Sequence, residues 1–239
     1  MTRVEVETNA ANKRFKQLFY EHSRRLQGNA ILGKSEREWI SSIDKDRAAM
    51  IAPEQLLQAY RLGVFPMAME NDEIGWFSPD PRTILPLDRF HASHGLRRAR
   101  RKQRFEVRIN SCFGEVIREC AQREDTWIND EIIESYTRLH ELGWAHSVET
   151  WLGGELAGGL YGVAIGGAFF GESMFHRATD ASKIALWELV ERLRKRRFTL
   201  LDIQWLTPHL AQFGATEIPR ALYLHLLNAA VDLPRRFVD

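Results

Sequence analysis

Two glycine pairs near the middle of the chain constrain the fold most strongly, because they divide alternating apolar segments into short strands. Gly153-Gly154 and Gly166-Gly167 are hairpin signals, so the segments on either side of each pair are expected to be antiparallel neighbours. This pattern predicts an α/β (α+β) fold with a mixed, mostly antiparallel sheet. The predicted elements here are strands at 146–151, 155–164 and 167–175, a helix at 180–197 and a strand at 199–205.

The last of these strands carries two polar side chains within an apolar segment. Side chains alternate along a strand, so Asp202 and Gln204 share one face and the apolar residues beside them share the other. Burying such groups without partners costs about 1–3 kcal/mol each. The pair is therefore either a structural polar pair bonded to neighbouring backbone or part of a functional site.

Proline, glycine and capping residues mark the remaining elements. Asn129 is a good N-cap and is followed by two acids, which favours a helix that ends at Gly143. The segment from Val64 to Pro86 is rich in proline and aromatic residues, and we expect an ordered loop there. The other predicted elements are a helix between Pro53 and Gly63, a strand at 105–109, a helix at 111–121 with Phe113, Val116, Ile117 and Cys120 inward, a short helix from Thr207-Pro208 to Gly214, and a last helix opened by Pro219.

The charges of the chain nearly cancel, with 33 basic and 32 acidic residues, so the overall balance does not indicate a nucleic-acid binder. Cys112 and Cys120 are too few for a disulfide framework and lack metal-ligand spacing. No apolar segment approaches the roughly 20 residues that span a bilayer, and the N-terminal region lacks the apolar core of a secretory signal. We therefore expect a soluble, cytoplasmic protein without a membrane partner.

Six segments occur in a single order between residues 51 and 231 and form a recognisable pattern. They are YRLGVFP at 60–66, WFSPDPR at 76–82, TWI at 126–128, YTRLHELG at 136–143, HSVE at 146–149, and the whole stretch 158–220. Together they closely resemble the leucyl/phenylalanyl-tRNA–protein transferases. Enzymes of this family move an apolar amino acid from its tRNA onto the N-terminal amine of a protein.

The resemblance implies a GNAT-like acyltransferase fold, which the predicted order of a strand meander, helix, strand and helix also matches. We expect three parts: a charged N-terminal extension at 1–45, a small N-terminal domain at 46–85, and a GNAT-like catalytic domain at 86–239. The extension has no counterpart in the resemblance. Its weak apolar stripe predicts an amphipathic helix that is packed on the body or partly mobile.

Several motifs of other enzyme classes are missing from the sequence. The chain has no Walker loop, HExxH or CxxC motif, and Gly171–Phe175 (GESMF) lacks the second glycine of a nucleophile elbow. The phosphate cradle of acetyl-coenzyme A users matches only at Arg25–Ala30, which we interpret as chance. The resemblance instead implies an aminoacyl-tRNA donor with no cofactor and no metal ion, because this ester is already activated and transfer mostly requires positioning.

The resemblance also assigns the catalytic positions to Asp202 and Gln204. A glutamine amide is too weak a base to hold a proton, so Gln204 is assigned to hydrogen-bonding the attacking amine. Asp202 is assigned to orienting Gln204 or to offsetting positive charge. Glu172 matches a position near the aminoacyl-adenosine end, where it would bind the ribose, the aminoacyl ammonium or a basic acceptor side chain. Alternation predicts that Glu172 shares a face with Met174.

The implied donor pocket is apolar, and such a pocket discriminates poorly between leucine and phenylalanine. Trp127 is the candidate platform on which the terminal adenine stacks. Met67 stands where the family often carries a tryptophan, and Trp76 is the nearest replacement. For each of these residues, ordinary core packing is the alternative. The pocket positions are Leu160, Phe169, Met174, Leu186 and Leu189, with Tyr136 at the rim.

Two groups of cations interrupt the even charge balance. The first puts six cations into the eight positions 97–104, with no acid among them. A solvated helix face is the usual explanation, but the density favours a phosphate-binding track for the tRNA acceptor stem. The second group, at 192–197, is interpreted as a solvated helix end. The residues assigned to tRNA binding are Arg97, Arg98, Arg101 and Lys102.

The resemblance thus implies a monomeric aminoacyltransferase that moves leucine, and less often phenylalanine, from leucyl-tRNA or phenylalanyl-tRNA to proteins beginning with arginine or lysine. That reaction marks the acceptor for degradation by an N-end-rule pathway. The closest alternative is the same chemistry with another aminoacyl donor. An N-acyltransferase using a carrier thioester and a non-enzymatic RNA-binding protein are the further alternatives.

Overall fold

The computed structural model describes residues 50–69, 71–102, 104–122 and 126–239, so the predicted extension and the Arg25–Ala30 match lie outside it. The helices are α1 (Pro53–Arg61), α2 (His94–Arg101), α3 (Phe113–Ala121), α4 (Asp130–Glu141), α5 (Ala181–Lys195), α6 (Pro208–Ala211) and α7 (Arg220–Val231), with a short 3-10 helix at Leu87–Arg89. The strands are β1 (Phe65–Ala68), β2 (Ile74–Phe77), β3 (Arg82–Ile84), β4 (Glu106–Ile109), β5 (Ala145–Leu152), β6 (Glu155–Ile165), β7 (Ala168–His176), β8 (Leu200–Gln204) and β9 (Thr216–Ile218).

Seven of the strands form one sheet in the order β4-β5-β6-β7-β8-β3-β9, and β1 pairs with β2 in a separate hairpin. Neighbours in the large sheet are antiparallel except β7 and β8, which are parallel and are connected through α5. A parallel pair requires such a crossover, whereas antiparallel strands need only a tight turn. The predicted mixed, mostly antiparallel sheet is confirmed.

Local sequence explains the turns and the helix starts. Gly153 and Gly154 connect β5 to β6 with φ values of 61° and 89°, a conformation that favours glycine at both positions of a tight hairpin turn. The side chain of Asn129 accepts a hydrogen bond from the Ile132 N–H at 3.0 Å and caps α4 as predicted. Across the described ranges, no helix combines the length and apolarity needed to cross a membrane.

The prediction of a loop between Val64 and Pro86 is wrong, because this segment contributes three short strands. Its strand β3 lies between β8 and β9, with Thr83 opposite Gln204 and Ile84 opposite Asp202. The pairing depends on a partner about 120 positions later in the chain, which local composition does not reveal. The division at residue 85/86 stays a prediction, although β3 precedes it and belongs to the large sheet.

The large sheet separates two apolar clusters, one on each face. Adjacent residues in β7 show the alternation: Phe169 belongs to the cluster beneath α2 and α5, and Phe170 to the cluster beneath α1, α3, α4 and α7. We call these the α5-side cluster and the α4-side cluster. The inward residues predicted for α3 are all buried in the α4-side cluster; they are Phe113, Val116, Ile117 and Cys120.

A β-bulge interrupts the pairing of β6 with β7. Tyr161 is opposite Ser173 and Gly162 is opposite Gly171, so Glu172 is the additional residue. A bulge reverses the alternation beyond it. Met174 consequently packs with the α5-side cluster while Glu172 contacts Tyr60 of the α4-side cluster. The prediction that Glu172 and Met174 share a face is therefore wrong.

The backbone at this bulge leaves no room for a side chain at Gly162. An added Cβ would lie 2.2 Å from the carbonyl oxygen of Phe170 and 2.5 Å from the Phe169 ring. We expect Gly162→Ala to lower the free energy of unfolding by about 3 kcal/mol in urea denaturation, since the backbone of β7 must shift. Gly171→Ala, directly across the pair, is the control, because its nearest atoms are 3.6 Å away. Equal stability of the two variants would contradict this account of the bulge.

Candidate active site

A buried ion pair joins β3 to the end of β8. Arg82 Nε donates to Asp202 Oδ1 at 2.9 Å, and Arg82 Nη2 donates to Asp202 Oδ2 at 2.6 Å. The two side chains are only 1% and 0% exposed. Two parallel charge-assisted hydrogen bonds of this kind fix the relative orientation of both side chains as well as their separation.

Protein groups also satisfy the remaining hydrogen-bonding capacity of the two side chains. Arg82 Nη1 donates to the carbonyl oxygen of Gly63 at 3.1 Å, and the Tyr223 hydroxyl donates to Asp202 Oδ2 at 2.8 Å. The guanidinium lies over the rings of Phe65 and Tyr223, 4.7 and 4.6 Å from their centroids. Burial alone would lower the pKa of Arg82, but the charge of Asp202, the groups of Tyr223 and Glu172, and the hydrogen bonds to Asp202 together outweigh burial, so the pKa is raised. Arg82 therefore stays charged in the core.

Gln204 ends β8 in a conformation that most residues avoid. Its φ is 60°, in the left-handed region, where a non-glycine residue must be held by its surroundings. Its backbone N–H donates to Asp202 Oδ1 at 2.9 Å, and its side-chain amide donates to Glu172 Oε1 at 3.0 Å. Asp202 thus orients Gln204 through the backbone, and Glu172 orients the amide.

Glu172 is the acid at the centre of the site. Its Oε1 also accepts a hydrogen bond from the Tyr60 hydroxyl at 2.8 Å, and Tyr60 in turn bonds to the hydroxyl of Tyr136. Its Oε2 is buried without a hydrogen-bond partner among the residues that the structure describes. Burial raises the pKa of Glu172 to about 8, although the hydrogen bond from Tyr60 acts in the opposite direction. Glu172 Oε2 is therefore an unsatisfied buried oxygen on the carboxyl group that binds the Gln204 amide.

The six apolar and aromatic positions predicted for the donor pocket divide between the two sides of the sheet. Met174 is partly buried, and the other four aliphatic or phenyl residues are buried in the same α5-side cluster; they are Leu160, Phe169, Leu186 and Leu189. Tyr136, expected at the rim, is fully buried in the α4-side cluster, because its hydroxyl reaches inward to Tyr60.

The candidate adenine platforms lie near the β1–β2 hairpin. Trp127 is half-buried against the α4-side cluster, and its carbonyl oxygen accepts the Ala68 N–H at 3.0 Å. Trp76 is also half-buried and pairs with Pro66 across the hairpin, next to the buried Met67. Trp127 and Trp76 therefore border the same short hairpin.

The first basic group forms the exposed side of α2. Ser93 caps this helix by accepting the Leu96 N–H at 3.2 Å, and Leu96 is its buried contact with the body. Arg100 is bound to the protein, since its Nε donates to Glu188 at 2.8 Å and its guanidinium lies 4.4 Å from the centroid of the Trp187 ring. The four residues predicted to bind tRNA are all exposed; they are Arg97, Arg98, Arg101 and Lys102.

Three residues of the site were not predicted from the sequence: Arg82, Tyr60 and Tyr223. Arg82 ends the WFSPDPR segment and Tyr60 begins the YRLGVFP segment, so both lie in stretches that carried the family resemblance. Attention to the polar residues of those stretches would have identified them. Tyr223 lies on α7 without any chemical motif, and nothing in the sequence points to it.

The site thus consists of a buried carboxylate–amide pair at the end of β8, the strand that runs parallel to β7. The family model for the leucyl/phenylalanyl-tRNA protein transferase matches residues 84–228, and the model for the N-terminal domain of that family matches residues 49–80. The chain belongs to this family of aminoacyltransferases.

Relatives bearing that name are close in sequence. The leucyl/phenylalanyl-tRNA–protein transferase of Gloeobacter violaceus is 54% identical over 188 residues, covering 78% of this chain and 97% of the relative. That of Akkermansia muciniphila is 55% identical over 187 residues, covering 76% of this chain and 97% of the relative.

Similarity to solved structures is much weaker. L-PGS from Bacillus licheniformis is 14% identical with a TM-score of 0.36, covering 66% of this chain and 55% of that one. A ribosomal-protein-alanine N-acetyltransferase from Brucella melitensis is 13% identical with a TM-score of 0.33, covering 51% of this chain and 89% of that one. At these scores the likeness says nothing about the chemistry of the present site.

Removing one partner of the ion pair should be far more harmful than removing both. Arg82→Met leaves the carboxylate of Asp202 buried without its cation, so we expect a loss of about 3–5 kcal/mol in the free energy of unfolding. The double variant Arg82→Met/Asp202→Asn should recover part of that loss in urea denaturation. Arg108→Met, in the exposed pair with Glu106, is the control and should change stability little. A double variant no more stable than Arg82→Met would refute the pairing.

Glu172 should make stability depend on pH. Because burial raises its pKa from 4.5 to about 8, the folded protein holds a proton on this carboxyl that the unfolded chain has lost between those values. Glu172 contributes its full stabilisation below pH 4.5, and this contribution declines as the pH rises to about 8. Tyr60 and Tyr136, whose pKa values burial raises well above 10.0, do not titrate in this range.

The measurement is the difference in unfolding free energy between the unmodified protein and Glu172→Gln at each pH from 5 to 9. As the pH rises, we expect the unmodified protein to lose stability relative to Glu172→Gln by at most about 1.4 kcal/mol per pH unit. The difference should level off above pH 8. A difference that stays constant from pH 5 to 8 would show that Glu172 is ionised throughout.

Proposed function

We propose that this chain transfers leucine, and less often phenylalanine, from aminoacyl-tRNA to the N-terminal amine of proteins that begin with arginine or lysine. The observation that carries the proposal is the buried Gln204–Glu172 pair, with Gln204 held by Asp202 and Asp202 held by Arg82. Family membership supports the donor and the reaction class. The arginine or lysine preference, the cytoplasmic N-end-rule role and the monomeric state follow from the family resemblance.

The reaction requires little from the protein beyond positioning the ester and the amine. The amine nitrogen attacks the ester carbonyl carbon, a C–N bond forms, and the C–O bond to the terminal ribose breaks. One proton leaves the amine and one is taken up by the ribose oxygen. Since the ester is already activated, we propose that no cofactor or metal ion is needed, and that holding the two reactants together lowers most of the barrier.

Gln204 and Glu172 supply the polar groups for this step. The amide oxygen of Gln204 is free to accept a hydrogen bond from the amine, because only its nitrogen bonds to Glu172. The unpartnered Oε2 of Glu172 is the base to which we assign the amine proton, and this carboxyl then returns a proton to the ribose oxygen. Its pKa of about 8 matches that of an N-terminal amine, about 7.7–8.0, which suits reversible proton transfer.

Asp202 is assigned a positioning role rather than direct contact with substrate. It is 0% exposed, and both its oxygens are occupied by Arg82, Tyr223 and the Gln204 backbone. A basic acceptor side chain would therefore meet Glu172 rather than Asp202. Of the two acids left open by the sequence, the geometry favours Glu172.

The pocket for the donor side chain stays a prediction from the family resemblance, which assigns it to the α5-side cluster, across the sheet from Glu172 and next to Met174. That residue is partly buried beside fully buried neighbours, and its flexible thioether adapts to either leucine or phenylalanine. Trp127 is assigned to the terminal adenine, and the exposed cations of α2 to phosphates of the acceptor stem. Pocket residues alone do not fix the donor, so the test must include other aminoacyl-tRNAs.

The test is transfer of labelled amino acid from leucyl-, phenylalanyl- and arginyl-tRNA to a peptide that begins with arginine, with acetyl-coenzyme A as a separate donor. We expect transfer of leucine, less of phenylalanine, and neither arginine nor acetyl transfer. Transfer of arginine alone would replace the donor while keeping the chemistry, and acetyl transfer alone would refute the proposal.

The variant Gln204→Ala tests whether the Gln204 amide takes part in the transfer reaction. We expect transfer to fall about a hundredfold while the affinity for aminoacyl-tRNA changes less than about twofold, because the amide acts on the reacting amine and not on the RNA. Gln212→Ala, at an exposed glutamine shortly after β8, is the matched control. Near-normal turnover of Gln204→Ala would remove Gln204 from the mechanism.

A further inference from the structure

The second basic group does not stand alone, because the C-terminal segment brings two more cations to it. Lys195, Arg196 and Arg197 at the end of α5, together with Arg235 and Arg236, line a surface groove of about 570 Å³. We call these five residues the α5-end patch. Among the described residues, the groove is otherwise lined only by Pro234, so nearly every side chain on it carries a positive charge.

The C-terminal segment is anchored firmly enough to hold these cations in place. Phe237 is 2% exposed, and its ring lies 4.6 Å from that of His146 and 5.1 Å from that of Phe169, between centroids. The carbonyl oxygen of Phe237 accepts a hydrogen bond from Arg192 Nε at 2.8 Å. Two residues earlier, Arg235 Nε donates to the carbonyl oxygen of Arg197 at 3.3 Å. The patch is therefore built by specific contacts between two distant segments.

The charges of the patch are poorly neutralised by the protein. Arg196 pairs with the exposed Asp239 at 2.8 Å, and the other four cations form no ion pair with any acid in the part of the chain that the structure describes. The negative end of the α5 dipole accounts for cations within the helix. It does not account for Arg235 and Arg236, which lie outside it. Cations held together against their repulsion indicate a negatively charged partner.

The α5-end patch continues the basic surface of α2 along the same helix. Arg100 of α2 binds Glu188 and Trp187 in the middle of α5, and Lys195 lies seven residues further on, about 10 Å along the helix axis. The exposed cations of α2 and those of the patch thus border one helix. A polyanion lying on α2 would reach the patch without crossing an acidic surface on α5, since Glu188 and Glu191 are bound to arginines.

The patch is too far from Gln204 to bind the reacting end of the donor. Arg197 precedes β8, and Gln204 ends it. Seven residues of extended chain separate them, on the order of 20 Å. Phosphates bound at the patch must therefore belong to nucleotides well upstream of the aminoacylated end.

We propose that the α5-end patch binds phosphates of the tRNA backbone as a second RNA contact, beyond the α2 cations. The contact is independent of base sequence, because no aromatic or amide side chain from the described ranges lines the groove. The inference rests on the proposed function for the identity of the polyanion. Its role is affinity and orientation of the tRNA rather than chemistry.

The experiment measures binding of uncharged tRNA at several salt concentrations for Lys195→Gln/Arg197→Gln/Arg236→Gln. We expect the dissociation constant to rise about tenfold at low salt, and the slope of log K against log salt to flatten by about 2, since each phosphate that is no longer neutralised removes about 0.7–0.9 from the slope. The matched control is Arg118→Gln/Arg138→Gln/Arg177→Gln, three exposed cations on the α4 side. It changes the net charge equally but should leave the slope nearly unchanged.

The outcomes separate the RNA assignment from its alternatives. Equal effects of the two triple variants would overturn the patch as a specific contact and leave only a general charge effect. An unchanged tRNA slope with a raised KM for an acidic protein acceptor would assign the patch to protein binding and overturn the RNA assignment. The patch variant should transfer leucine at a normal rate when tRNA is saturating, because the patch contributes affinity and not chemistry. The proposed function is tested separately: it would be refuted if the unmodified protein transferred no leucine.

Discussion

The arrangement of the site depends on one buried ion pair, between Arg82 and Asp202. Removing two charges from water costs several kcal/mol for each ion, and only complete pairing and hydrogen bonding compensate for it. Here both oxygens of Asp202 and all three nitrogens of Arg82 find protein partners, including the backbone of Gly63 and Gln204. The pair ties β3 to β8, and it holds Gln204 in a strained conformation that its own propensities would not maintain.

A backbone irregularity complements the ion pair. The bulge in β7 leaves Glu172 on the same side of the sheet as Phe170, towards Tyr60 and Gln204, while Met174 beyond it changes to the other side. Burial raises the pKa of this acid to about 8, so its neutral and ionised forms are similar in energy near that pH. An enzyme that joins an activated ester to an amine has no need of a strong nucleophile. A weak acceptor and a proton carrier, both immobilised, are the groups that such a reaction can use.

Turns, helix caps and the order of helices and strands were predictable from local sequence patterns. Features that depend on distant partners were not. The Gly153-Gly154 turn, the Asn129 cap and the succession of α5 and β8 were all foreseen, because each follows from a short window of residues. β3, the bulge and the role of Arg82 depend on residues more than a hundred positions apart or on a mismatch between strands. Asp202 and Gln204 stand out as polar residues within an apolar strand, whereas Glu172 follows from the family resemblance. Arg82 was overlooked because an arginine beside prolines resembles a surface loop.

The near-zero net charge of the chain conceals a separation of charge that the fold creates. α2, the end of α5 and the C-terminal segment carry the clustered cations on one side of the sheet. α3 and α4, on the other side, carry six acids; they are Glu115, Glu119, Asp130, Glu131, Glu134 and Glu141. Three of these acids pair with Arg138 or Arg177, so among the described residues the α5 side is the more basic of the two and favours the approach of a polyanion. Composition alone argued against a nucleic-acid binder, but the distribution of charge over the two faces supports the RNA contact that we propose.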